Sequence, residues 1–278
     1  MTAESALEKI LKRDRRIVLG ATATLVLLSW VYILLGAGTG MSSLDMTSSS
    51  FPPYVSTLAG MMDPQPWSAG YWVIMLLMWW VMMIAMMTPS AAPMVLLHAT
   101  LVRRGSAVAA GANPSLPTAA FMAGYLAIWL IFALVAASVE AVLERLYFVS
   151  PMFMWSESAA LTGALLLAAG AYQFTPLKTA CLDNCRSPIE FLSRHWRSGA
   201  LGAFQVGLIH GAYCVGCCWA LILLLFAGGV MNLLWVAGLS VIVIIEKLAP
   251  WGRRFGYAVG VVLITAGVLL LLGWYPSS

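Results

Sequence analysis

Charge is what this sequence has least of. Only 9% of its 278 residues are Asp, Glu, Lys or Arg, and 62% are hydrophobic. Soluble domains carry about 25% charged residues. The chain therefore reads as a polytopic membrane protein, with most of its length embedded in a bilayer. The net charge of +4 is no nucleic-acid footprint, because membrane orientation accounts for it below. Five cysteines are too few and too clustered for a secreted disulfide framework. No glycine loop grips phosphate and no Asp-Lys-Thr-Gly run occurs, which argues against an ATP-driven phosphorylating pump. One deep histidine, His210, is too few for a bis-histidine haem protein. No internal repeat and no soluble domain are visible. The apolar run from Ile17 to Leu35 is too long for a cleaved signal and is expected to be a retained helix.

What is present is a series of apolar runs. Seven are expected to span, at about 17–38, 70–97, 118–139, 158–176, 200–226, 230–247 and 255–274. Each approaches the ~20 residues that cross a ~30 Å hydrocarbon core. The predicted fold is all-α, a polytopic helical bundle forming one transmembrane domain over 1–278. Charge orients it. Fourteen of the fifteen basic residues flank one set of helix ends: Lys9, Lys12, Arg13, Arg15, Arg16, Arg103, Arg104, Lys178, Arg186, Arg194, Arg197, Lys247, Arg253 and Arg254. Only Arg145 falls at the other end. The positive-inside rule then places the N-terminus in the cytoplasm and the C-terminus outside. The outer end collects Asp45, Asp63, Glu140, Glu144 and Glu157. Its largest loop, about 39–69, is rich in Ser, Pro and Met.

Chemistry concentrates in the run 207–219, where His210, Cys214, Cys217 and Cys218 share one side of a helix. A histidine inside a span is costly and calls for a reason. The stripe is about 12 Å long at 1.5 Å per residue, so one ion cannot bind all of it. His210 and Cys214 can share an ion, and Cys217 or Cys218 would draw ligands from another helix. Thiolate selects soft metals such as Cu(I) or Zn(II). Against this stands packing: Gly207-x-x-x-Gly211 is a helix-contact motif, and cysteine is a small buried hydrophobe.

A methionine stripe, Met75, Met78, Met82 and Met86 with Met83 and Met87 beside it, runs along the second span. Thioether suits Cu(I), and Met82 and Met86 are candidate ligands at the depth of Cys214. Methionine also fills gaps in ordinary packing. Pro89 and Pro93 are expected to kink or break this helix near Thr88. Cys181 and Cys185, in a segment read as a cytoplasmic loop, can share a metal across one helical turn, with Asp183 and His195 close in sequence. Lys178, Arg186, Arg194 and Arg197 are expected to meet lipid headgroups. Glu140 and Glu144 read as a solvated pair near Arg145, although with Glu157 or Asp63 they can hold a hard cation. Met41, Met46, Met61 and Met62 are an outer copper-capture set or a simple cover. Glu246 and Lys247 read as an interfacial pair, and His98 as a headgroup contact.

Three motifs carry a resemblance. They are 78–90 with its Met-Met-Thr-Pro-Ser end, then 172–188 with Cys181 and Cys185, then 210–220 with the later Gly229, Asn232, Glu246 and Lys247. In order and spacing they resemble a bacterial domain-of-unknown-function family, whose members are described as predicted metal-binding integral membrane proteins. The resemblance covers about 70–250. It implies a multi-pass protein of the bacterial inner membrane.

The favoured function is binding of a soft metal, foremost copper(I), for transport, storage or delivery. His210, Cys214, Cys217 and Cys218 are the expected ligands, with Met82 and Met86 beside them and Cys181 and Cys185 as a cytoplasmic relay. Zinc and iron are also compatible with the donor set. A membrane copper- or thiol-dependent oxidoreductase, or an assembly partner of one, is the first alternative. A structural helical subunit without metal is the second. No catalytic residue is assigned, and a carrier is favoured over an enzyme. The expected partners are the lipid bilayer, a membrane or periplasmic protein, and a second copy of the chain.

Overall fold

The computed structural model describes residues 3–38, 42–48, 67–106, 115–151 and 154–274. All regular structure among them is helical, apart from a single bridge between Val149 and Ser156. In chain order the helices are α1 (Ala3–Leu34), α2 (Ser43–Ser48), α3 (Ala69–Ser106), α4 (Ser115–Arg145), α5 (Ala159–Tyr172), α6 (Pro176–Arg186), α7 (Pro188–His195), α8 (Gly199–Ile222), α9 (Leu225–Gly228), α10 (Leu233–Leu248) and α11 (Gly252–Leu271).

Among the described residues five helices are long and apolar enough to cross a membrane, and a sixth span arises if the bent pair α5–α6 counts as one. Two of the seven expected spans do not meet this length and composition test as single helices. The segment 230–247 becomes α10, whose 16 residues reach about 24 Å, short of a ~30 Å core. The segment 158–176 stops at Tyr172, and the chain turns by 64° into α6. The cause is local: Pro176 forces Thr175 into extended backbone, and Thr175 then caps α6 by accepting from the Lys178 amide.

α3 corrects a second expectation. It runs unbroken for 38 residues with Pro89 and Pro93 inside it. Pro89 and Pro93 withhold their amide donors from the Ala85 and Pro89 carbonyls one turn back. Between them the Met87 carbonyl accepts from the Ser90 hydroxyl at 2.8 Å and from the Tyr125 hydroxyl at 3.2 Å.

The tightest contact is between α4 and α8, and glycine sets it. A Cβ on Gly207 would lie 2.0 Å from the Phe121 carbonyl oxygen, and one on Gly124 would lie 2.1 Å from that of Phe204. Two backbones in direct contact need small residues at the crossing, as Gly207-x-x-x-Gly211 suggested. α5 packs on α11, α1 on α3, and α6 on α8. The methionine stripe lies wholly inside: Met75, Met78, Met82, Met83, Met86 and Met87 are all fully buried in the main core. Met46, on α2, is buried there too. Met41, Met61, Met62 and Asp63 lie outside the described residues.

Candidate functional site

α8 places Cys214, Cys217 and Cys218 on its buried face, at the i, i+3 and i+4 positions that adjoin on a helix. Both Cys217 and Cys218 turn their thiols onto the Cys214 carbonyl, at 3.1 and 2.8 Å. Cys214 itself faces other helices. Its sulfur accepts from Lys247 Nζ of α10 at 2.9 Å and lies 3.2 Å from the Tyr125 hydroxyl of α4. From α3, Met87 brings its Sδ to 3.8 Å from Cys218 Sγ. From α6, Cys185 brings its sulfur against Cys214 and Cys217. Four thiols and a thioether thus meet at the junction of three helices. The segment carrying Cys181 and Cys185 is a helix packed into the bundle, not a free loop.

Lys247 reaches this group through Cys214, and Cys185, Cys217 and Cys218 lie near enough to act on its charge. Its ammonium also donates to Ser90 Oγ at 3.2 Å. Ser90, the Met87 carbonyl, Tyr125, Cys214 and Lys247 therefore close a ring of polar contacts inside an apolar core. A buried ammonium survives only with such partners. Lys247 does not pair with Glu246, as the sequence suggested. Neighbours on a helix point about 100° apart, so each finds its own partner. Glu246 takes Lys178 Nζ at 2.7 Å and Gln173 Nε2 at 3.0 Å. Lys178 is thus buried and paired, not a headgroup contact. Arg186 caps the α10 C-terminus, donating to the carbonyls of Glu246, Ala249 and Pro250. This network anchors α10, and with it Lys247. Lys178→Met leaves Glu246 buried without its cation and is expected to cost about 3–5 kcal/mol. Chemical denaturation of the purified protein reads that cost, and a loss below ~1 kcal/mol would contradict the buried pairing.

The remaining candidates fall around this group rather than in it. Met82 and Met86 are fully buried on α3, but no hydrogen bond joins either to a cysteine among the described residues. Met87 is the thioether that does. Cys181 approaches α8 at Gly216, where a Cβ would sit 2.7 Å from its sulfur. Asp183 pairs with Arg253 and His195 stacks on Phe191 at 4.7 Å, so neither joins Cys181 or Cys185. His210 is one turn from Cys214, stacked on Tyr125 (5.6 Å) and Phe121 (6.0 Å) with Phe191 edge-on (5.3 Å), and its Nδ1 has no partner among the described residues. His98 is buried at 1% exposure against Phe121 and Trp196, not at a headgroup level.

Among the described residues no group of three or more His, Cys, Asp or Glu side chains is placed to hold a metal ion as the protein stands. All five cysteines are free. The thiols of Cys217 and Cys218 point at a carbonyl as proton-bearing donors do, so ion binding requires them to lose protons and rotate. Lys247, Tyr125, Ser90 and Met87 are the members of the group that sequence reasoning missed. Only Met87, beside the methionine stripe, carried a local signal.

Residues 76–270 match the model of a family described as copper chaperone, PpoB2. No curated protein and no solved structure matches the chain.

Proposed function

The chain belongs to this copper chaperone family, and from that premise we propose that it is a membrane-embedded carrier of copper(I). The ion is cargo, held on the thiols of Cys185, Cys214, Cys217 and Cys218 and passed to a partner protein. The observation that carries the reading is the approach of Cys185 on α6 to Cys214 and Cys217 on α8. It gathers soft donors from separate helices, with the Met87 thioether at their edge. Thiolate and thioether are the ligands Cu(I) prefers. His210 is the next donor along α8, and Cys181 the next along α6. The long apolar helices supply the membrane setting. The basic residues set the N-terminal end of α8 toward the cytoplasm, in a bacterial inner membrane.

The test is metal content by mass spectrometry, after anaerobic Cu(I) loading of detergent-purified protein. Wild type is expected to retain near-stoichiometric copper, and Cys214→Ser and Cys185→Ser each to lose most of it. Full retention in both variants sinks the proposal. A dithiol redox couple on the same thiols is the second reading. That reading requires a change in mobility on non-reducing gels after mild oxidation, together with a loss of titratable thiols.

A further inference from the structure

Glu140 and Glu144 sit one turn apart near the C-terminal end of α4, and both side chains are fully buried. The solvated surface pair expected from Arg145 is therefore absent, and Arg145 itself is exposed. Each carboxylate is held by one indole of the α3 side. Trp79 Nε1 donates to Glu140 Oε2 at 2.5 Å, and Trp67 Nε1 to Glu144 Oε2 at 2.7 Å. In both, the second oxygen, Oε1, is buried and has no hydrogen-bond partner among the described residues. No ion pair to either glutamate occurs among the described residues. Glu246, the other buried acid, has its lysine.

Two adjacent carboxylates in an apolar interior cannot both stay charged without a cation. The cost of burying one unpaired is already large, and their mutual repulsion adds to it. Something positive must join them. Hard metal ions take six or more oxygen ligands. Here no third His, Cys, Asp or Glu completes a metal site among the described residues. Tyr71, half-buried on α3, lies near enough for both acids to act on its hydroxyl. Aromatic rings otherwise enclose the site, with Phe226 of α9 against Trp79. Two orphaned oxygens with no further ligand suit the smallest cation.

We propose that Glu140 and Glu144 form a proton-binding site, separate from the sulfur group. The protons come from water at the end of the bundle where Trp67 is half-buried and the residues after Glu144 are exposed. On uptake, a carboxylate oxygen gains the proton as O–H and the pair loses one negative charge. On release, the proton returns to water. The site stands whether or not the protein carries copper.

The test uses the wild-type full chain in detergent and dicyclohexylcarbodiimide, an apolar reagent that adds to protonated buried carboxyls. Mass spectrometry of the digested protein locates the adduct. The expected result is labelling at Glu140 or Glu144 in mildly acid buffer and its loss in alkaline buffer. Glu140→Gln and Glu144→Gln assign the position in the variant that folds. No labelling at either residue at any pH overturns the proposal. Labelling that Mn(II), Ca(II) or Zn(II) blocks at constant pH also overturns it, since the pair then holds a metal ion.

Discussion

Replacing Lys247 with methionine is expected to leave the apo protein folded and to weaken Cu(I) binding by roughly a hundredfold, about 3 kcal/mol. The asymmetry follows from charge. Without metal, a methionine fills the lysine volume beside Ser90 and Cys214 at modest cost. With Cu(I) on two thiolates, the complex carries one net negative charge. Lys247 Nζ, 2.9 Å from Cys214 Sγ, then supplies the only positive charge inside the group among the described residues. Removing it leaves an anion uncompensated in an apolar core, where single charges are most expensive. Competition against a chromophoric Cu(I) chelator under anaerobic conditions measures the affinity, and thermal unfolding of the apo variant measures the fold. An unchanged affinity shows that the ammonium has no part in holding the ion. Equal losses in affinity and apo stability make Lys247 a packing element only.

The second large effect is steric. Gly207→Val is expected to destabilise the bundle by about 3 kcal/mol or more, at the upper end of overpacking penalties. A Cβ at Gly207 would lie 2.0 Å from the Phe121 carbonyl oxygen. That contact is backbone, so no side chain can swing away to relieve it. α8 must move off α4, and Cys214 moves with it, away from Tyr125 on the same α4 surface. The variant should lose copper stoichiometry together with stability. Gly238→Ala on α10 is the control: nothing lies within 4 Å of a Cβ there, and alanine favours helix by about 0.5–1 kcal/mol. Circular dichroism during denaturant titration separates the two. A Gly207 variant as stable as wild type would falsify the close crossing of α4 and α8.

The helices themselves were legible from apolar runs and the fold class followed. Their ends were less so. α3 passes the expected end near 97 because Leu101, Val102, Arg103 and Arg104 continue the helix and place its basic residues in the last turn, which the helix dipole favours. α10 looked like a span because 230–247 is apolar throughout, yet Asn232 caps it by accepting from the Leu234 amide and so shortens it. Within the site, the α8 cysteines were visible through their spacing. Cys185 was visible only as half of a weak pair, since the bend at Pro176 that swings α6 onto α8 has no long-range sequence mark. Lys247 was hidden by Glu246. Charges adjacent in sequence look like a pair, whereas a helix sends them to different faces. Glu140 and Glu144 were misread for a similar reason: their indole partners lie 61 and 77 residues away in sequence.

The sulfur group is fed by α3, α6 and α8, with α10 reaching in through Lys247. An ion held there ties together elements that the chain connects only through long detours. Ligand binding to the native state alone raises stability by RT ln(1 + [L]/Kd), about 4 kcal/mol at a thousandfold excess over Kd. If copper(I) is the cargo, the loaded protein is expected to open less often than the empty one, and its resistance to added protease is expected to rise with copper supply.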